Sequence, residues 1–479
     1  GDDTISGGSG SLVVLGGTAT TNNTATSGGS AGNDTINAGG GNNVVAGEAL
    51  EIAFADATAY GNNSATGSSN SKAGNDDIDA GNGHDSISGG AMAVAYKNSY
   101  AEQNNTGDRG DAGNDTINAD YNNGHGNDEV AGDAMARSVG NTHPSDAKAV
   151  ANNEAKKDSG DAGNDDIYAE NGNNKVSGDA MAVSLYDDAE AYANNTAGEG
   201  GEGGDDKIRT GWGDDVVAGD AQARAQESAV ADADNKATGY KSDAGNDDIY
   251  VDGGKDMVAG DAQAISWEES AHAYGKNDAF YGDKNDAGND TIKSGSDNDT
   301  VSGGAQAHAK KYAYADQDNH AGGRGGDDDW NEAGNDDIDL GSGDNLAAGD
   351  AQAISTHDSA KAKSHNHTDT DDGNRAGNDW IEAENGNDTI SGDAQAVAKW
   401  HAESNSHNKA EAKHDNNSAG NDTIKAGHGE NLVAGDSQAI SKHGSAEAYG
   451  KNEAIEDDEN SAGNDLIKTG GDKDTISGG

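Results

Sequence analysis

Residues 73–89 read Ala73-Gly74-Asn75-Asp76-Asp77-Ile78-Asp79-Ala80-Gly81-Asn82-Gly83-His84-Asp85-Ser86-Ile87-Ser88-Gly89. One pattern, Gly-x-Asp-x-Ile, occurs twice, with Ile78 and Ile87 nine residues apart. In the second copy Gly83 can take a positive φ and turn the chain tightly. Asp85 then presents a carboxylate in the turn, Ser86 faces outward and Ile87 inward. The same roles recur at Gly386-Asn387-Asp388-Thr389-Ile390 and Gly213-Asp214-Asp215-Val216-Val217. Turns of this kind set backbone carbonyls beside carboxylates, an oxygen-only set that suits a hard cation such as calcium.

Outward from this stretch, the string AGND plus one residue and Ile recurs along the chain. It ends at Ile36, Ile78, Ile117, Ile167, Ile249, Ile292, Ile338, Ile381, Ile424 and Ile467. Looser copies, GDDTI at residues 1–5 and GGDDKI at 203–208, add Ile5 and Ile208 and make twelve units. The mean period is about 43 residues, in the range of solenoid repeats. A second row follows nine residues after the first, except between Ile117 and Val130, where the spacing implies a four-residue insertion. Each unit closes with an arm of about 25 residues opening on GDAQA or GDAMA. Alternation such as Ala262, Ala264 and Ser266 reads as strand with a small-residue face. No stretch repeats apolar residues at helical spacing. The expected fold is all-β: a parallel β-solenoid of about 12 coils, continuous over residues 1–479. Stacked at about 4.8 Å per coil, equivalent residues form ladders, and each coil is stabilised by its neighbours.

Composition sets the cost of this arrangement. The 479 residues carry a formal charge of −57, only 31% are apolar, and there is no Cys. Such a chain reads as disordered unless pattern overrides composition. The charge argues against nucleic acid and anionic membranes as partners, and no apolar run is long enough for a membrane helix. Two like charges about 5 Å apart repel by about 3 kcal/mol at an effective dielectric near 20. Burying one Ile or Val contributes about 1.5–3 kcal/mol. Stacked Asp rows would therefore cancel much of the aliphatic ladder unless cations neutralise them. The formal charge over twelve coils is about −4.8 per coil, and two Ca²⁺ per coil would offset four of those charges.

The nine-residue units resemble the repeats-in-toxin (RTX) nonapeptide, G-G-x-G-x-D-x-U-x, in which U is a large aliphatic. The resemblance covers the turns and leaves the arms unexplained. It implies a β-roll-like fold with Ca²⁺ held between successive turns, about one to two ions per coil, by Asp carboxylates and loop carbonyls. Carried over, the first-row metal ligands are Asp3, Asp34, Asp76, Asp115, Asp165, Asp206, Asp247, Asp290, Asp336, Asp379, Asp422 and Asp465. The second row supplies Asp85, Asp128, Asp215, Asp256, Asp299, Asp388 and Asp474. Asn43, Asn174, Asn345 and Asn431 stand in that row as weaker, uncharged ligands, and Leu12 stands there as a non-ligand. A third acidic row opens the arms, at Glu48, Asp133, Asp179, Asp220, Asp261, Asp350, Asp393 and Asp436. It is either a further set of ligands or a row of solvated turn acids.

Other signals weigh less. His365 and His367 lie in variable arm segments without fixed zinc-ligand spacing. Asn22, Asn62, Asn104, Asn194 and Asn416 each begin an N-x-[ST] triplet. The residues before the first-row Ile, running Thr35, Asp77, Thr116, Asp166, Lys207, are too mixed for an ice-binding Thr face. No catalytic constellation stands out. The expected function is structural: a calcium-binding segment of a secreted bacterial surface layer, adhesin stalk or extracellular fibre. Self-association through open strand edges is expected, in an extracellular setting where millimolar calcium fills weak sites. The alternative is a calcium-responsive module of a secreted toxin or enzyme.

Overall fold

A computed structural model describes the chain except residues 1–3, 7–11, 16–17, 40, 67–70, 120–125, 141–144, 158–159, 281–283, 323–330, 370–373, 412–416, 456–460, 471–472 and 479. The described residues form strands and turns, with no helix among them. The chain divides into two compact units. One comprises Gly1–Ala233 with Ile265–Trp267, the other Asp234–Ala264 with Glu268–Gly479.

Every complete coil has five strands. In the first unit one coil runs Asp161–Ala162, Asp166–Ala169 (first row), Lys175–Ser177 (second row), Ala180–Ser184 and Ala189–Glu199. Each strand pairs in parallel with its equivalent one coil away. Ile117, Ile167 and Ile208 form one ladder, and Val130, Val176 and Val217 another. The second unit repeats the plan with Asp286–Ala287, Thr291–Lys293, Thr300–Ser302, Ala305–Ala309 and Tyr312–Gly322. Its first-row ladder runs through Ile292, Ile338, Ile381 and Ile424. Six second-row strands lie in each unit, so the parallel β-solenoid has about twelve coils. The strands flanking the insertion, Thr116–Asn118 and Glu129–Ala131, keep register with the next coil; residues 120–125 lie outside the described residues.

The arm is two strands rather than one. Along the longer, Ala189, Ala191, Ala193, Asn195 and Ala197 are buried, whereas Glu190, Tyr192, Asn194 and Thr196 face outward. On the shorter, Ala180 and Ala182 alternate with Met181 and Val183. Met92, Met135 and Met181 stack along the first unit against Ala46 and Ala131 at the end of the second row. In the second unit Gln occupies this position and forms a hydrogen-bonded ladder. Gln263 donates to Gln306 at 2.7 Å, Gln306 to Gln352 at 3.0 Å, and Gln352 to Gln395 at 2.9 Å. Each Gln also donates to its own second-row strand, as Gln352 does to the Leu346 carbonyl at 3.2 Å. A thioether fills the gap by packing; an amide fills it by spending both its donors.

One register departs from the sequence reading. Thr4–Ser6 pairs with Val44–Ala46, so Ile5 sits beside Val45 in the second row and not in the first. Asp3 lies outside the described residues. Leu12 is not a second-row residue, because Leu12–Leu15 pairs with the shorter arm strand at Ala49–Ile52. Both rows share Gly-x-Asp-x-U, so the motif alone cannot tell them apart. The Ser6-Gly7-Gly8 that follows, like Ser88-Gly89-Gly90, is the second-row ending.

Candidate metal centre

The two nonapeptide rows build the same ladder. Each first-row backbone N–H donates to Oδ1 of the Asp one coil on: Asp76 to Asp115 and Asp115 to Asp165 at 2.6 Å, Asp165 to Asp206 at 2.7 Å. In the second unit the series runs Asp247, Asp290, Asp336, Asp379, Asp422 and Asp465 at 2.8–3.2 Å. Asp34 joins at one end, donating to Asp76 at 2.7 Å. Second-row links go from Asn43 to Asp85 at 2.6 Å, Asp85 to Asp128 at 2.8 Å, Asp128 to Asn174 at 3.1 Å and Asn174 to Asp215 at 2.8 Å. From Asp256 they pass through Asp299, Asn345, Asp388 and Asn431 to Asp474 at 3.0–3.1 Å. Asp and Asn thus serve this ladder equally through Oδ1, which is why the second row tolerates both.

The other side-chain atom separates them. Asn43 turns its Nδ2 onto the carbonyls of Gly39, Gly41 and Ala80 at 2.9–3.3 Å. Asn174 does so to Ala169 and Glu170, and Asn431 to Gly427 and Gly429. In the Asp coils this atom is Oδ2. It is buried without a hydrogen-bond donor at Asp299 and Asp388 in the second row, and at Asp76, Asp165, Asp290, Asp379 and Asp422 in the first. These side chains are at most 3% exposed. A buried carboxylate oxygen without a donor calls for a cation or a proton. Asn43, Asn174 and Asn431 thus fill the position with their own N–H groups, whereas Asn345 buries its Nδ2 without an acceptor.

Burial pushes these acids up. Asp299 rises to about 7 and Asp465 to about 6, each chiefly through desolvation. Asp76, Asp115, Asp165, Asp206, Asp290, Asp336, Asp379 and Asp422 all rise well above the ordinary carboxylate range, through burial and neighbouring carboxylates. The ionised form is thus costly as it stands, and a bound cation would reverse that cost.

The third row lies inside with the others and is not solvated. Its acids are at most 1% exposed. They are held by an Asn ladder on the longer arm strand. Asn105 donates to Asp133 at 2.6 Å and Asn153 to Asp179 at 2.7 Å, while Asn366 reaches Asp350 at 2.9 Å and Asp393 at 3.0 Å. Along the ladder Asn105 donates to Asn153 and Asn153 to Asn195, at 3.0 and 3.1 Å. The Asn ladder, not the acidic row, is what the sequence reading missed. Asn63, Asn105 and Asn195 are the middle residues of the triplets read as glycosylation acceptors; Asn62, Asn104 and Asn194 lie on the outer face of the same strands. Asn416 lies outside the described residues. The signal was the fixed place of the Asn in an otherwise Ala-faced strand.

Two glycines make room. Gly113 of the AGND string has φ +69°, and a Cβ there would lie 2.3 Å from the Asn105 side chain. Gly132, closing the second row, brings its Cα against the Asp165 carboxylate: a Cβ would lie 1.9 Å from Oδ2 and 2.0 Å from the Gly178 carbonyl oxygen. Carboxylate and carbonyl oxygens therefore converge where only Gly can stand. Unpartnered Oδ2 atoms, convergent carbonyls and an all-oxygen set fit a hard cation. First and third rows also meet. Asp115, Asp133 and Asp165 hold oxygens within 4.8 Å of one another, as do Asp336, Asp350 and Asp379. The outer His are elsewhere; His365 lies 3.7 Å from Asp316 on the exposed face of the arm.

These features define a class: a parallel β-solenoid repeat protein with buried carboxylate rows at its turns. Family comparison then matches the RTX calcium-binding nonapeptide repeat at residues 29–49, 70–91, 159–180, 201–223, 241–264, 286–307, 375–396, 418–439 and 461–479. The nine matched segments are thus RTX calcium-binding nonapeptide repeats, and a two-stranded arm accompanies the turns in each complete coil. The matched segments leave out most of each arm. Comparison with curated proteins and with solved structures finds no match.

Proposed function

We propose that this chain is a calcium-rigidified structural segment of a secreted bacterial surface layer, adhesin stalk or extracellular fibre, and carries no catalysis of its own. The observation that supports it is the set of buried Oδ2 atoms with no donor at Asp76, Asp165, Asp290, Asp299, Asp379, Asp388 and Asp422, beside the Ile and Val ladders. A rigid scaffold needs a repeated core; this one also needs a repeated cation. The first-row Asp and the second-row Asp are its ligands, one to two ions per coil. Folding and calcium binding are then one event, and extracellular calcium fills sites that a cytosol would leave empty. Association of copies through strand edges completes the reading.

The test is far-UV circular dichroism during a calcium titration of the chelated full chain, with magnesium and sodium as controls and electron microscopy of the same samples. Cooperative gain of β-signal with calcium alone, followed by filaments or sheets, is expected. A β-fold that persists in chelator refutes the calcium part; calcium-loaded but dispersed particles refute the assembly part.

A further inference from the structure

We propose that the arm-opening acids form a second, interior set of calcium sites, outside the nonapeptide turns, each made by one third-row carboxylate and the first-row Asp of its own and the following coil. The inference rests on reading the first row as calcium ligands.

The geometry comes first. In the first unit Asp115, Asp133 and Asp165 place carboxylate oxygens within 4.8 Å of one another; in the second unit Asp336, Asp350 and Asp379 do the same. All six are buried, at 0–3% exposure. Asp350 is hydrogen-bonded at both oxygens, by Asn319 at Oδ1 and by Ser364 and Asn366 at Oδ2, but three other members of the triads are not. Asn105 donates to Oδ1 of Asp133, yet Oδ2 of Asp133, of Asp165 and of Asp379 has no donor. Three ionised carboxylates cannot share such a space without a counter-charge.

The coils that lack the acid point the same way. Among the arm openings of the complete coils, Gly90 and Gly304 replace it. In the same coils the longer arm strand carries Gln103 and Gln317, two residues before the ladder Asn, where the other coils carry Ala, Ser or Gly. A Cβ on Gly304 would meet the Gln317 side chain first, at 2.4 Å from Cδ and Oε1. The Gln therefore occupies the space of the missing Asp. Its amide donates where the Asp would accept: Gln317 donates to Asn319 at 2.9 Å and to Asp261 Oδ2 at 2.8 Å. The coil before each Gln has Gly61 or Gly275 opposite, whose Cβ would lie 1.8 Å from the Gln Oε1. Three positions thus change together, replacing a buried negative charge by a neutral donor. A solvated turn acid would need no such exchange, but a carboxylate that carries a cation would. Coils of the Gly90 and Gly304 type lack the interior ion.

Native mass spectrometry of the full chain, calcium-loaded, reads the count directly. Asp133→Asn is expected to bind one calcium fewer than wild type. Gly304→Asp with Gln317→Ser, which copies the Asp350 and Ser364 pairing, is expected to bind one more. Unchanged counts in both variants, with wild type still binding calcium, overturn this inference and leave the turn sites standing; the triads are then proton-sharing. A wild type that binds no calcium overturns the function proposed above as well. If the double variant does not fold, judged by circular dichroism in calcium, the Asp133→Asn count decides alone.

Discussion

Asp299→Asn exchanges one buried oxygen for a donor and leaves the rest of the turn in place. Asp299 is 1% exposed, its Oδ1 accepts the Asp256 N–H at 3.1 Å, and its Oδ2 has no donor. Asn keeps the first contact, as Asn174 does for the Asp128 N–H at the same distance. Its Nδ2 then takes the Oδ2 position, where Asn43, Asn174 and Asn431 reach turn carbonyls. In chelator the change removes an unsatisfied buried acceptor, which costs about 1–3 kcal/mol, so the variant should be more stable than wild type by about that much. In calcium the sign reverses. A site filled at a hundredfold excess over its Kd contributes about 2.7 kcal/mol, and the variant forgoes it. Urea unfolding of both proteins, in chelator and in saturating calcium, reads the two differences. Equal signs in the two conditions would refute the argument that Oδ2 marks a cation position.

Metal-free protein should lose stability as pH rises from about 4 towards 8. Asp299 titrates near 7 when folded against 3.8 as its ordinary value, so the folded state holds the extra proton between these values. Its protonated form is the stabilised one; the contribution is complete below the unfolded pKa and gone above the folded one. Calcium should flatten the profile, read as urea midpoint against pH. Gly303→Ala would place a Cβ 2.0 Å from Asp336 Oδ2 and 2.1 Å from the Gly349 carbonyl oxygen, and overpacking of this kind costs about 1–3 kcal/mol. Its urea midpoint should fall in calcium, and an unchanged midpoint would count against the close approach. Asn366→Ala strips donors from Asp350, Asp393 and the Asn ladder, and at about 1.5 kcal/mol or more per bond to a charged group the loss should be about 3 kcal/mol. Gln352→Met should cost about 1–2 kcal/mol, because Gln306 and Gln395 each lose a buried partner; the equivalent Met row of the first unit shows that the shape itself is acceptable.

What the sequence disclosed depended on whether a residue's role is fixed by its own period. The Ile and Val ladders and the Asp rows recur at constant spacing, so fold and turn carboxylates were legible from Ile78, Ile87, Asp76 and Asp85 alone. Row identity was not, because Gly-x-Asp-x-U is shared and only the Ser-Gly-Gly ending places Ile5 beside Val45. The alternation of the arm gave its strands and small-residue face, but not the break between Ala180–Ser184 and Ala189–Glu199. Roles set by contact across the interior were hidden. Asn105 and Asp133 are 28 residues apart and meet at 2.6 Å, and no local pattern announces that Asn43 Nδ2 reaches the Ala80 carbonyl.

The distribution of charge explains why so acidic a chain can carry so repetitive a core. On the outer faces acids meet bases across coils: Lys148 with Glu190, Lys361 with Glu403, Lys425 with Glu382. Exposed pairs of this kind contribute little each, and the 31 Lys and Arg offset only part of the 88 Asp and Glu. At the carboxylate positions of the first, second and third rows no Lys or Arg stands, and these positions are acidic, amide or Gly. The interior therefore admits three chemically equivalent fillings of one geometry: carboxylate with cation, carboxylic acid, or side-chain amide. Asn43 and Gln317 show the amide filling built into the chain, and the raised Asp pKa values show how close the acid filling lies. A chain with amides throughout would fold without regard to its surroundings. On the function proposed above, keeping carboxylate at most positions makes the fold depend on cations that the chain does not supply, so the surroundings decide whether the ladders can close.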